Sequence, residues 1–127
     1  MTTTRSDAKR RKELMLRCYR EFFGERRLDT VSALIHEDFV QHSPDAPSGR
    51  DAYLAHLREA AFGGSTIQIK RMIADDEYVV VHYRMCLPEG PTMAVTDIWR
   101  FADDRIVEHW DVEQVLPAPS STPNGML

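Results

Sequence analysis

At 127 residues and 43% hydrophobic content, the chain carries enough apolar material for one core and is too short for a second domain of ordinary size. Residues 1–127 therefore read as a single domain. With 16 basic against 20 acidic residues and a formal charge of -4, the balance excludes an electrostatic platform for nucleic acid or an anionic membrane.

No apolar run is long enough to span a bilayer, and the start MTTTRSDAKRRK lacks the apolar segment of a secretory signal, so a cytoplasmic location is expected. The basic run Lys9, Arg10, Arg11 and Lys12 reads as the solvated face of a first helix. Cys18 and Cys86 form no CxxC and no disulfide framework, and read as reduced, partly buried thiols.

In chain order, Leu14, Leu16, Cys18, Tyr19, Phe22 and Phe23 recur near a helical period from Ser6 to Phe23, with Gly24 as a stop. A shorter helix follows, with Asp29 available as its cap and Val31, Leu34 and Ile35 as its inward stripe. The stretch from His36 to His42 reads as extended, and Ser43 to Gly49 as a loop. A third helix is predicted after it, capped by Ser48 or Asp51, with Tyr53, Leu54, Leu57, Ala60 and Ala61 buried and Gly63 and Gly64 closing it.

The second half changes period. Ile67 to Ile73, Tyr78 to Tyr83, Thr92 to Phe101 and Ile106 to Val115 read as four strands joined by short connections, hence an antiparallel meander. Three helices before four strands make an α+β arrangement, with the helices packed on one face of a bent sheet. From Pro117 onward the composition suggests an arm or disorder.

Register in the last hairpin decides which side chains share a face. Its turn is Asp103 and Asp104. A plain two-residue loop sets Asp97 opposite Trp110, whereas a three-residue loop with a bulge sets Asp97 opposite Asp111, Trp99 opposite His109 and Phe101 opposite Val107. The bulged form is preferred because it pairs Arg100 with Glu108. It also places Met93, Val95, Asp97, Trp99 and Phe101 on one face with Val107, His109 and Asp111, the composition of a ligand pocket. The opposite face would carry Ala94, Ile98, Ile106, Trp110 and Val112, an apolar surface that suggests a homodimer.

The segments Phe39-Val40-Gln41-His42-Ser43-Pro44, Gly49-Arg50-Asp51, Asp97-Ile98-Trp99-Arg100-Phe101 and Arg105 to Gln114 together resemble the SnoaL-like polyketide cyclases of the nuclear transport factor 2-like superfamily. The likeness is to their branch of predicted aldol-condensation enzymes, and it extends to the end Asn124-Gly125-Met126-Leu127. It implies a cystatin-like, nuclear transport factor 2-like cone with three N-terminal helices on a curved antiparallel sheet around a central pocket. It also implies that the cyclase's essential aspartate falls on Asp111. The family's pocket histidine on the preceding strand falls on Asp97, so a carboxylate stands where the family has an imidazole and only the acid/base chemistry carries over.

Two carboxyls facing each other in an apolar cavity can divide proton removal next to a carbonyl from proton delivery to the oxyanion, their titration belonging to the pair. The expected roles are Asp111 as general base and acid and Asp97 as the group that tunes it. His42, at the edge of the loop, His82, if it points inward, and His109, on the Asp111 face, could each bind substrate or serve as structural histidines. Trp99 and Phe101 would wall the pocket.

The histidine spacing matches no compact ligand motif, so no metal is expected, and no cofactor fingerprint is present. The expected partner is a small hydrophobic carbonyl compound. Three readings stay open: a cofactor-free lyase or isomerase, a non-catalytic binding module, and an epoxide hydrolase. The last needs an arginine between two aspartates, for which Arg84 is the strand candidate.

Overall fold

The structure is a computed structural model that describes residues 5–118, 121 and 123–127. Helix α1 (Arg5–Tyr19) runs into a π-helical turn (Arg20–Gly24), followed by α2 (Asp29–Leu34), β1 (Ile35–Gln41) and α3 (Arg50–Glu59). A 3-10 turn (Ala61–Gly64) precedes β2 (Thr66–Ala74), β3 (Tyr78–Cys86), β4 (Thr92–Ala102) and β5 (Arg105–Val115). The sheet order is β1-β5-β4-β3-β2, with β1 parallel to β5 and the other pairs antiparallel.

The α+β architecture is as the sequence indicates, with one strand more than the four expected. Ile35 to Gln41 is the added strand, laid parallel along β5. A parallel edge strand has no hairpin partner next to it in sequence, so only tertiary packing makes it a strand. The expected tail lies partly at 119, 120 and 122, outside the described residues.

Two expected helix caps are replaced. Glu21 reaches from the π-helical turn to accept the Thr30 backbone N–H at 2.9 Å and the Thr30 hydroxyl at 2.7 Å, the service that Asp29 was expected to perform. At α3 the cap position is Gly49 at φ +87°, a conformation glycine adopts without penalty. The Ser48 hydroxyl oxygen instead accepts the Gln41 N–H at 2.9 Å and ties the loop to β1. The helix also ends earlier than expected, at Glu59, leaving Ala61 exposed.

Arg11 departs from the solvated face assigned to its run. It is 7% exposed, donates to the Asp76 carbonyl at 2.9 Å and to Asp104 at 3.2 Å, and lies 5.5 Å from the centre of the Phe101 ring. One guanidinium thus pins α1 to the turns of both the β2–β3 and the β4–β5 hairpins.

The last hairpin combines features of both expected geometries. Asp103 (φ +49°) and Asp104 (φ +62°) form a two-residue turn with Ala102 opposite Arg105, and the bulge lies further up the strand. Because Arg100 pairs with Glu108 while Phe101 pairs with Ile106, Val107 is the extra residue, and the expected Phe101–Val107 pairing is absent. Ile106, expected on the outer face, therefore turns inward and is fully buried. Asp97 opposite Asp111 and Trp99 opposite His109 hold as expected. A second bulge at Lys70 in β2 shifts the inward side from Ile69 to Met72 and leaves Ile73 61% exposed.

Candidate active site

The concave face of the sheet, α1 with its π-helical turn, and α3 with the following 3-10 turn enclose a cavity of about 470 Å³. Phe22, Phe23, Phe62, Leu57, Met85 and Val95 make its apolar walls. Asp97, His109, Asp111 and Glu113 are among its polar lining residues, and among the described residues neither arginine nor lysine lines it.

Asp97 is the most enclosed of these carboxylates, at 6% exposure. A buried charge survives only if it is solvated by the protein, and Asp97 has three partners. Tyr83 donates its hydroxyl to Oδ2 at 2.9 Å, the Tyr19 hydroxyl donates to the same oxygen, and Nε2 of His109 lies 3.0 Å from Oδ1. Trp99 Nε1 donates to the Tyr19 oxygen at 3.0 Å, and its ring stacks on His109 with centroids 3.9 Å apart. Burial, reinforced by the Asp97 charge, pushes both phenols well above their usual range, so Tyr19 and Tyr83 act as neutral donors.

His109 is anchored from its other side by Gln41. The Gln41 Oε1 accepts the Ser43 backbone N–H at 3.0 Å, which identifies that atom as the amide oxygen, and it lies 2.8 Å from His109 Nδ1. Nδ1 must then carry a hydrogen. The contact from Nε2 to Asp97 consequently needs one more proton, held as an imidazolium facing a carboxylate or as a carboxyl donating to a neutral imidazole.

Asp111 sits across the strand pair from Asp97, half-buried in the cavity wall. Burial is the main force raising its carboxyl above the ordinary range, with Asp97 and Asp45 adding to it and the His109 ring and Ser43 hydroxyl opposing. Glu113, one step further along the same face, is raised by burial and then by Asp111. One oxygen each of Asp97 and Asp111 and one nitrogen of His109 lie within 4.8 Å of one another, a set that could hold a cation. Both oxygens of Asp97 and both nitrogens of His109 already have protein partners, so a metal would have to break existing hydrogen bonds to enter.

Of the residues singled out from sequence, Asp97, Asp111, His109 and Trp99 come together in the cavity wall, and four do not. His42 is on the outside, stacked on Trp110 with centroids 4.7 Å apart and 2.6 Å from Glu108. His82 alternates with the buried Val81 and Tyr83 and so faces outward, where it meets Arg71. Phe101 is buried beneath Arg11, away from the cavity. Arg84 is exposed on the same outer side as His82.

The residues that sequence reasoning missed are Gln41, Tyr19, Tyr53 and Tyr83. Three of them are phenols that had been counted as apolar stripe or strand residues, and their hydroxyls carry no periodic signal.

A cone of helices and bent sheet that closes over an apolar cavity with acid/base groups on its wall defines the class of small-ligand α+β proteins to which this one belongs. Residues 16–109 match the SnoaL-like domain, and the chain belongs to that family, within the nuclear transport factor 2-like superfamily. No curated protein matches the chain.

Among solved structures, a proposed ketosteroid isomerase from Kribbella flavida is similar at 17% identity and a TM-score of 0.72, over 91% of this chain and 89% of that one. A proposed SnoaL-like polyketide cyclase from Jannaschia gives 17% identity and 0.73, over 90% and 92%. An LEH-like epoxide hydrolase from Mycobacterium tuberculosis gives 21% and 0.69, over 85% of each chain. At these identities the likeness concerns the fold alone.

Proposed function

We propose that this protein is an acid/base enzyme, of aldol-condensation, cyclase or isomerase type, acting on a small hydrophobic carbonyl compound without a cofactor. The observation that carries the reading is Asp111. It is a half-buried carboxylate, raised by burial, on the wall of a predominantly apolar cavity and directly opposite a second carboxylate that lies 3.0 Å from His109 Nε2.

In the first step the Asp111 carboxylate takes a hydrogen from the carbon next to the substrate carbonyl, and the electron pair moves onto oxygen as an enolate. In the second, the Asp111 carboxyl returns that proton, either to a different carbon, which is isomerisation, or to the alkoxide formed when the enolate carbon attacks a second carbonyl. Its raised basicity strengthens it as the base in the first step. The Asp97–His109 pair, fixed by Tyr19, Tyr83 and Gln41, sets the field in which Asp111 titrates.

The test uses 2-acetylnaphthalene, an apolar ketone small enough for the cavity, in deuterated water. Exchange of its methyl hydrogens, followed by proton NMR, is expected with the wild type and lost in Asp111→Asn, which should still bind the ketone. Exchange retained by Asp111→Asn would reject the reading. Binding without exchange by the wild type would favour the non-catalytic binding module. An epoxide-hydrolase reading is disfavoured because, among the described residues, neither arginine nor lysine lines the cavity and Arg84 faces outward.

A further inference from the structure

Three of the residues lining the cavity are tyrosines, and their hydroxyls are not equivalent. Those of Tyr19 and Tyr83 are committed to Asp97. Tyr53 is 6% exposed, and its hydroxyl has no hydrogen-bond partner among the described residues. A hydroxyl on a cavity wall that has no protein partner is a donor available to a ligand.

The placement of Tyr53 is over-determined by local structure. Gly49, at φ +87°, donates its N–H to the Phe39 carbonyl at 2.7 Å and accepts the Tyr53 N–H at 3.0 Å, which starts α3 in one orientation. The Tyr53 ring packs on the fully buried Phe39 with centroids 4.9 Å apart. The phenol lines the same cavity as Asp97 and Asp111, and burial, followed by the charges of those two carboxylates, raises it above its ordinary range, so it stays protonated.

From this arrangement we infer that the Tyr53 hydroxyl is the donor that receives the substrate's carbonyl oxygen and thereby presents the neighbouring carbon to Asp111. The inference rests on the acid/base reading above and adds to it the group that holds the oxygen. As the proton leaves carbon for Asp111, negative charge builds on the oxygen held by Tyr53. That hydrogen bond strengthens in the transition state while the phenol keeps its proton.

The experiment follows 2-acetylnaphthalene, labelled with ¹³C at the carbonyl, bound to wild type, Tyr53→Phe and Asp111→Asn, with thermal melts to confirm that each variant is folded. In the wild type the carbonyl stretch should fall to lower frequency on binding. Tyr53→Phe should lose that shift and slow deuterium exchange by roughly 100-fold. Asp111→Asn should keep the shift and lose exchange. A carbonyl frequency and exchange rate unchanged by Tyr53→Phe, with exchange still lost in Asp111→Asn, would overturn the role of Tyr53 and leave the acid/base reading standing. A shift that depends on Tyr53 in a protein that exchanges nothing would do the reverse. A ketone that does not bind the wild type would overturn both.

Discussion

Gln41 and His109 meet at 2.8 Å through Oε1 and Nδ1, and this contact decides where protons can lie in the site. With Nδ1 obliged to donate, the other ring nitrogen can approach Asp97 only if that contact holds a proton of its own. Changing Gln41 to Leu removes the obligation, and the ring can then place its single hydrogen on Nε2. The pH profile of exchange should shift, and NMR of ¹⁵N-labelled imidazole should show the tautomer moving toward Nε2–H. An unchanged ring spectrum would refute this.

Asp111 and Glu113 have raised carboxyls in the folded state, so the fold binds protons that the unfolded chain has already released. Their contribution to stability is present below the ordinary carboxylate value and is lost as pH rises through the raised one. Asp111→Asn should therefore stabilise the protein near neutrality, by about 1 kcal/mol or less given solvent screening of a half-exposed group. The gain should vanish in acid. Melting temperatures measured across pH check both the sign and the window.

Asp97 depends on its donors. Tyr83→Phe takes one of them away, leaving a buried carboxylate under-solvated, and should cost about 1–3 kcal/mol in urea unfolding. Tyr53→Phe, which removes a hydroxyl without a protein partner, should be neutral or slightly stabilising. Equal losses for the two would contradict the distinction between them.

Ligand charge should matter more than ligand shape. With carboxylates and, among the described residues, neither lysine nor arginine on the lining, 2-acetylnaphthalene should bind at least about tenfold more tightly than 2-naphthoate, and the gap should widen as pH rises and Asp111 and Glu113 ionise. Quenching of Trp99 fluorescence is a suitable readout.

The outer face of the sheet still presents Ile98, Trp110 and the 71% exposed Val112, although Ile106 has turned inward. A homodimer through this face is expected, with Val112→Glu weakening it. A monomeric mass for the wild type in solution would dispose of that expectation.

Much of this molecule was readable along the chain. Periods of 3.6 and 2 located the helices and four strands, and one charge pair, Arg100 with Glu108, was enough to choose the register that brings Asp97 opposite Asp111. These are local properties, set by which side chains alternate and which neighbours attract. The parallel strand β1, the inward turn of Ile106 at a displaced bulge, and the outward facing of His42 and His82 depended on elements distant in sequence packing together. The same is true of the chain from Gln41 through His109 and Asp97 to Tyr19 and Tyr83, whose members come from β1, β5, β4, α1 and β3. Only the closed fold brings those polar atoms within hydrogen-bonding distance of each other, because no short-range pattern records where a hydroxyl at the end of an otherwise apolar ring will point.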